Sequence, residues 1–214
     1  MLRIDLHVHT LHSPDGLCSV EDAVKAAKAK GLNGIAITDH NTIRGHVEAK
    51  KFSRNDFIII PGVEISSADG HILGLGVREL VQRGLSAEET VKRIKEQGGI
   101  SIVAHPFAFG RKPNLVYKAK FDAVEAFNSR ALFFSNPLAR RFAEQNRFPM
   151  TAGSDAHHCD EIGLAITTLN CKPNVDSILE EIKRGETSIS GRTLPISIFL
   201  WRAFQRILHR FYER

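Results

Sequence analysis

The pattern of this 214-residue chain predicts an α/β fold, a barrel of about seven parallel strands. Three observations predict it. Short apolar runs of strand length alternate with longer segments of helical pattern. A histidine or carboxylate recurs at the end of these runs. About seven strands with chemistry gathered at one set of ends suit a barrel better than an open sheet.

Leu2 to Val8 is the first strand, and it ends in His7-Val8-His9. Residues two apart in a strand share a side, so His7 and His9 project together, with Asp5 behind them. Ser19 is a helix N-cap, Glu21 and Asp22 fill the first turn, and Gly31 closes the helix. Gly34 to Thr38 is a buried strand that delivers Asp39-His40-Asn41. A helix is expected from Ile43 to about Arg54, then a strand from Phe57 to Ile60 leading to Pro61-Gly62-Val63-Glu64. His71 to Val77 is the next strand. Ser86-Ala-Glu-Glu has capping-box form and opens a helix that Gly98-Gly99 stops. Ile100 to Ala104 delivers His105-Pro106, and residues 107–119 read as a loop or short helix. Phe121 to Phe127 carries Glu125, and a helix follows from about Pro137 to Asn146. Pro149 to Ala152 delivers Gly153-Ser154-Asp155-Ala156-His157. Leu164 to Leu169 and the helix Val175 to Arg184 complete the body.

The charge is distributed unevenly. Five arginines and one glutamate between Arg192 and Arg214 give a net +4, which leaves the body at +1. A near-neutral body argues against stable binding to duplex DNA. The three cysteines, Cys18, Cys159 and Cys171, have spacings that suit neither a zinc knuckle nor a disulfide framework. A reducing, cytoplasmic setting is therefore expected. Asp5, His7 and His9 interrupt any apolar signal segment, and no run reaches the roughly 18 apolar residues of a membrane span.

The residues at the strand ends are His7, His9, Asp15, His40, Glu64, His71, His105, Asp155 and His157. All are imidazoles or carboxylates, the donors that suit zinc, manganese or iron. A barrel gathers strand ends on one rim, so residues about 150 positions apart can meet. Nine donors exceed the needs of one tetrahedral ion and match two or three, with a carboxylate such as Glu64 bridging a pair.

Asp5-Leu-His-Val-His-Thr10, Thr38-Asp-His-Asn41, Pro61-Gly-Val-Glu-Ile-Ser66, His105-Pro106 and Gly153-Ser-Asp-Ala-His157 resemble the ordered motifs of the PHP family, the polymerase and histidinol phosphatase domain. The resemblance covers residues 1–192. It implies a distorted (β/α)7 barrel with two or three divalent ions. One ion would take His7, His9, Glu64 and Asp155; a second would share Glu64 and add His71 and His105; a third would take Asp15, His40 and His157. The implied activity is that of a metal-dependent phosphoesterase acting on a phosphorylated small molecule, a nucleotide or a short oligonucleotide. Nucleotide-type substrates rank first, because the Glu64-to-His71 spacing and Asn128-Ser129-Arg130 look closer to that branch. A histidinol-phosphate-type phosphatase and a non-catalytic, metal-stabilised module are the alternatives; loss of ligands would mark the latter, and none is lost.

Clustered divalent ions neutralise a phosphate ester and lower the pKa of a bound water. The expectation is a metal-bridging hydroxide attacking phosphorus in line with the leaving alkoxide. His40 or His157 would protonate that alkoxide, and the sequence does not separate this from a plain ligand role. Arg130, and secondarily Arg44, could clamp a phosphate oxygen, or be a solvated surface arginine. Glu125 is expected to orient a ligand or Arg130. Asp5 and Asp39 either orient imidazoles or cap turns. His12, His46 and His158 are expected at the surface or rim.

Residues 193–214 read as a separate element. Leu200, Trp201, Phe204, Ile207, Leu208 and Phe211 share one helical face, with Arg202, Arg206, Arg210 and Arg214 off it. Two readings fit: a helix docked on the barrel or a partner subunit, or a basic amphipathic helix on an anionic membrane surface or a nucleic acid backbone.

Overall fold

The computed structural model describes residues 1–54, 57–132, 134–198 and 201–202. In chain order the elements are β1 (Leu2–Val8), α1 (Val20–Ala29), β2 (Gly34–Ile37), α2 (Arg44–Ala49), β3 (Ile58–Ser66), β4 (His71–Leu75), α3 (Ala87–Glu96), β5 (Ile100–Val103), β6 (Ala123–Asn128), α4 (Ser135–Asn146), β7 (Met150–Gly153), β8 (Ala165–Leu169), α5 (Val175–Arg184) and β9 (Thr187–Gly191). Helices α1, α3 and α5 begin where a side chain satisfies a free N–H group. Ser19 Oγ accepts from Asp22 N, Ser86 Oγ from Glu89 N, and the Asn174 side chain from Ser177 N.

These strands form one curled sheet in the order β7-β6-β5-β4-β3-β2-β1-β8-β9. The all-parallel expectation needs correction at two places. β4 is antiparallel to both β3 and β5, and β8 is antiparallel to β1 and β9. For β4 the reason is connection length. Four residues join β3 to β4, enough for a hairpin and far too few for a parallel crossover. β9 went unpredicted because Thr187–Gly191 is short, polar and half exposed.

The sheet closes into a nearly complete barrel by an unusual seam. β7 lies against β1 and β8 but pairs with neither along its length. Beyond the end of β7, Ala156 bridges to Val8 as a parallel neighbour, through His9 N to Ala156 O at 2.8 Å. Lower down, the Thr167 hydroxyl accepts from Ala152 N and donates to Ala152 O, both at 2.9 Å. One side chain thus replaces a missing strand partner and leaves no buried backbone group of Ala152 unpaired.

Three apolar clusters pack on the two faces of this sheet. One joins Ile4, Leu6, Ile58, Ile60, Leu73 and Ile102 to Ile178, Leu179 and Ile182 of α5. A second lies under α1, and a third under α3 and α4. Leu6 belongs to the first and Val8 to the second, because the pairing of β1 with β2 shifts register between Asp5 and Val8. Simple alternation along β1 therefore fails at this bulge.

Cys18 and Cys159 form a disulfide across 141 residues, with Cα atoms 5.2 Å apart. This corrects the expectation that the cysteines form no disulfide. Closure of the barrel pairs them, and sequence spacing carries no trace of it. Among the described residues no helix is long and apolar enough to cross a membrane. In the tail, Arg202 was expected off the apolar stripe. It is buried, donating to Asp160 at 2.7 Å and to Glu161. Leu200, Phe204, Ile207, Leu208, Phe211, Arg206, Arg210 and Arg214 lie outside the described residues.

The disulfide closes a long loop, so its removal raises the chain entropy of the unfolded state. Cys159→Ser is expected to cost about 2–4 kcal/mol of unfolding free energy, read as a lower urea midpoint. The oxidised wild type treated with reductant is expected to show the same midpoint.

Candidate metal centre

The mouth of the barrel gathers all nine expected donors. β1, β2, β3, β5 and β7 deliver theirs at or beyond their C-terminal ends. His71 arrives from the first residue of β4, and the reversed direction of that strand puts its start on the same rim. Glu64 pairs across the hairpin with Leu73, so His71 is its diagonal neighbour on the same face. This explains the seven-residue spacing. His71 Nδ1 lies 2.6 Å from Glu64 Oε1.

Local strain aims other donors. Asp155 has φ 54° and His105 φ 29°, left-handed values that turn the chain sharply off β7 and β5. Gly153 sits against His7: a Cβ there would collide with His7 Cβ and lie 2.9 Å from Glu125 Oε1. Only glycine allows β7 to approach β1 this closely.

Four donor atoms enclose one small volume. His7 Nε2 and His9 Nε2 are 3.1 Å apart, and each is 3.2 Å from Glu64 Oε2. Asp155 Oδ1 is 3.5 Å from His7 Nε2 and 3.2 Å from His9 Nε2. A tetrahedral ion with bonds of about 2.0–2.1 Å has ligands about 3.3 Å apart. The four atoms have that spacing. They also expose lone pairs to one another. His7 Nδ1–H donates to Glu125 Oε1 at 2.9 Å, which directs its Nε2 lone pair inward. Such an arrangement needs protons or a cation between the acceptors.

Two further groupings flank this one. His157 Nδ1–H donates to the Asp155 carbonyl at 2.8 Å, so its Nε2 faces Asp15 Oδ2 at 3.0 Å. His40 Nε2 is 3.7 Å from the same oxygen, and His9 completes a set of four. On the other side, Glu64 Oε1 meets His71 and, at 3.0 Å, His105 Nε2. His40 Nδ1 lies 3.1 Å from Glu64 Oε2 without hydrogen-bond alignment, and the buried Nδ1 atoms of His40 and His105 have no hydrogen-bond partner. The donor set therefore fits divalent ions on either side of a shared Glu64.

The supporting residues are partly those expected. Glu125 holds His7, accepts from His105 N at 2.8 Å and from Asn128 Nδ2 at 3.0 Å, the orienting role read from sequence. Asp5 and Asp39 do not orient imidazoles. Asp5 accepts from the backbone N–H groups of His7, Ser154 and Gly163, and Asp39 from Thr10. Ser13 was missed: its hydroxyl sits 3.2 Å from His9 Nδ1, donates to Asp15 Oδ1 at 3.0 Å and accepts from His40 N. Its place between His9 and Asp15 was the available signal. Glu161 was also missed. It is buried, accepts from His157 N at 2.7 Å and pairs with Arg130 at 3.1 Å and with Arg202. His12 pairs with Glu48 near the surface, but His46 is buried and its Nδ1–H donates to Gly62 O, so its placement at the rim is corrected. Arg44 is exposed. Arg130 lines an open cavity of about 400 Å³ over the cluster, together with Arg111, Phe109 and Leu132.

Burial disfavours every charge here, and the opposite charges outweigh it at His7, His9 and Glu64 but not at His40. Burial lowers His9, but hydrogen bonds to Asp155 and Glu64 hold it at about 9. His7 is likewise carried well above its ordinary value, against burial, by Asp155, Glu125 and Glu64. Glu64 is held well below its range, against burial, by His40, His7 and His71. Burial takes His40 down to about 4, so its imidazole is neutral at pH 7 and free to ligate.

Comparison with known proteins accords with this centre. Residues 5–132 match the PHP domain and residues 134–187 the PHP-associated family. The chain belongs to the PHP family. It is 40% identical over 144 residues to an uncharacterised protein of Methanocaldococcus jannaschii, covering 60% of this chain and 82% of that one. It is 30% identical over 139 residues to a phosphoribosyl 1,2-cyclic phosphate 1,2-diphosphodiesterase of Eggerthella lenta, covering 56% of this chain and 53% of that one. It is 34% identical over 105 residues to a 5′-3′ exoribonuclease of Haemophilus influenzae, covering 47% of this chain and 38% of that one. The chain thus spans about half or less of these two relatives. In fold it is similar to a two-domain Bacteroides vulgatus protein containing a predicted PHP-like metal-dependent phosphoesterase, with TM-score 0.76 and 20% identity, covering 89% of this chain and 65% of that one.

Metal binding and stability measurements test the centre. A metal must displace the protons held by His7 and His9, so affinity is expected to rise with pH from 6.5 to about 9. Binding at pH 7 is expected to release protons, seen as a calorimetric heat that depends on the buffer. In the metal-free protein, the raised His9 stabilises the fold below pH 6.5, and this contribution is lost as pH climbs through about 9. Glu125→Gln leaves one acceptor oxygen where His7 and His105 N now have two. Metal affinity is expected to fall about 10-fold, measured by chelator competition.

Proposed function

We propose that the chain is a metal-dependent phosphoesterase acting on nucleotide or oligonucleotide substrates. The observation that carries this reading is the convergence of nine imidazole and carboxylate donors beneath a cavity lined by Arg111 and Arg130. Divalent ions held there would polarise phosphoryl oxygens and make a bound water acidic enough to ionise near neutral pH.

The chain's own groups do the rest. His7, His9, Glu64 and Asp155 would hold one ion, Glu64 with His71 and His105 a second, and Asp15, His40 and His157 a third. Glu125 and Ser13 keep the rings aimed at those positions. Arg130 binds a non-bridging phosphate oxygen and is steadied by Glu161, which leaves its planar fork pre-oriented. With only two ions bound, His157 at the cavity edge would instead pass a proton from Nε2 to the departing oxygen. The exoribonuclease relative supports a nucleotide substrate, and the diphosphodiesterase relative supports a small ribose phosphate as the second reading.

Hydrolysis of a panel of nucleoside monophosphates, 5′-phosphorylated oligonucleotides, histidinol phosphate and ribose phosphates is expected with Mn²⁺, Zn²⁺ or Fe²⁺ and is expected to stop with chelator. His7→Ala, checked for folding by circular dichroism, is expected to lower kcat/KM on the order of 10³-fold, the several kcal/mol of charge stabilisation a catalytic metal supplies. A wild type without turnover of any ester in the panel would contradict the reading.

A further inference from the structure

Besides the arginine-bearing loop 128–132, the cavity is lined by His105, Ala108, Phe109 and Arg111 of the segment 105–117, whose composition is unusual. Residues 107–120 contain Arg111, Lys112, Lys118 and Lys120 and no acidic residue, interleaved with Phe107, Phe109 and Tyr117. Two of the aromatics anchor the segment. Phe107 packs on Phe142 with ring centres 5.8 Å apart, Tyr117 meets the same ring edge-on at 5.5 Å, and Leu115 and Val116 are buried. Phe109 does the opposite. It is 93% exposed, yet it lines the cavity above the metal centre.

This exposure is built into the backbone. Ala108 N donates to His105 O and Arg111 N to Ala108 O, both at 3.0 Å, so two successive turns hold Phe109 at a tip. Gly110 supplies the positive φ of 77° that the second turn requires. The turns start at His105, which ties the position of Phe109 to that of a donor in the centre. A single exposed phenylalanine is ordinary. One fixed on a cationic loop, lining the same cavity as the cluster of donors and as Ala131 and Leu132, has the combination that binds a planar base joined to a phosphate.

We propose that Phe109 is a specificity-determining residue: its ring stacks on the nucleobase of the nucleotide whose phosphate lies at the metal centre. This rests on the phosphoesterase reading above. Arg111 lies beside it with Nη1 3.2 Å from His71 Nε2, and gives the wall its positive charge next to the incoming phosphate. The base comes either from a mononucleotide or from the end of a single-stranded oligonucleotide, which present the same face.

The test compares wild type, Phe109→Ala and Phe109→Trp with Mn²⁺ on adenosine 5′-monophosphate, a 5′-phosphorylated RNA tetramer and base-free ribose 5-phosphate. Phe109→Ala is expected to lose about 10-fold in kcat/KM on base-bearing substrates, through KM, with ribose 5-phosphate changed less than about twofold. Phe109→Trp is expected to restore the loss. A loss confined to the tetramer assigns the base to an oligonucleotide end. Equal losses on all three substrates, or none, overturn the proposal. Calorimetric binding of the same compounds separates the two readings. Turnover of ribose 5-phosphate without any base preference sinks the stacking wall and keeps the esterase. Phe109-dependent preference for adenosine monophosphate over ribose 5-phosphate in binding, without turnover of any compound, sinks the esterase and keeps the wall.

Discussion

One buried carboxylate organises the mouth of this barrel. Glu64 is 1% exposed and touches His7, His9, His40, His71 and His105. A lone carboxylate in such a place would be forced to take up a proton. The imidazoles of His40, His7 and His71 reverse that tendency, and Asp155 together with Glu64 keeps His7 and His9 protonated in the absence of metal. Protons and metal ions compete for one set of lone pairs. The fold tolerates the charge density because every acid in the cluster has a base beside it.

The positions of the donors follow from how the chain leaves each strand. His7 and His9 need only the two-residue repeat of a strand. Glu64 and His71 need a hairpin of one particular length. His105 and Asp155 need left-handed backbone, which costs about 1–3 kcal/mol each in general. Gly153 removes a side chain so that His7 fits. Residues that touch no ion, such as Glu125, Ser13 and Glu161, fix rings and loops through hydrogen bonds to Nδ1 atoms and backbone amides. Arg202 extends this support from the tail to the loop that carries His157.

Much of this was legible because periodicity and residue type agree. The strand ends from His7 to His157 carry donors in an order that matches the family, and the helix caps Ser19 and Ser86 mark boundaries within a residue or two. What escaped the sequence depends on closure in space. The Cys18–Cys159 pair, the antiparallel β4 and β8, and the Arg130–Glu161–Arg202 contact all join residues that nothing local connects. Asp5 illustrates the same limit from the other side. Its nearness to His7 in sequence suggested a role in aiming the ring, but the bulge in β1 breaks the alternation and its carboxylate caps three amides instead.

The seam of the barrel has a further meaning. Neighbouring strands elsewhere share a ladder, but here the ring is fastened by a threonine hydroxyl below and, above, by the bridge between Val8 and Ala156 and the Asp5 carboxylate on Ser154 N. His7 and Asp155 stand on opposite lips of that upper join. A cation held between them would tie the two lips together, so filling the centre and closing the shell would be one mechanical event.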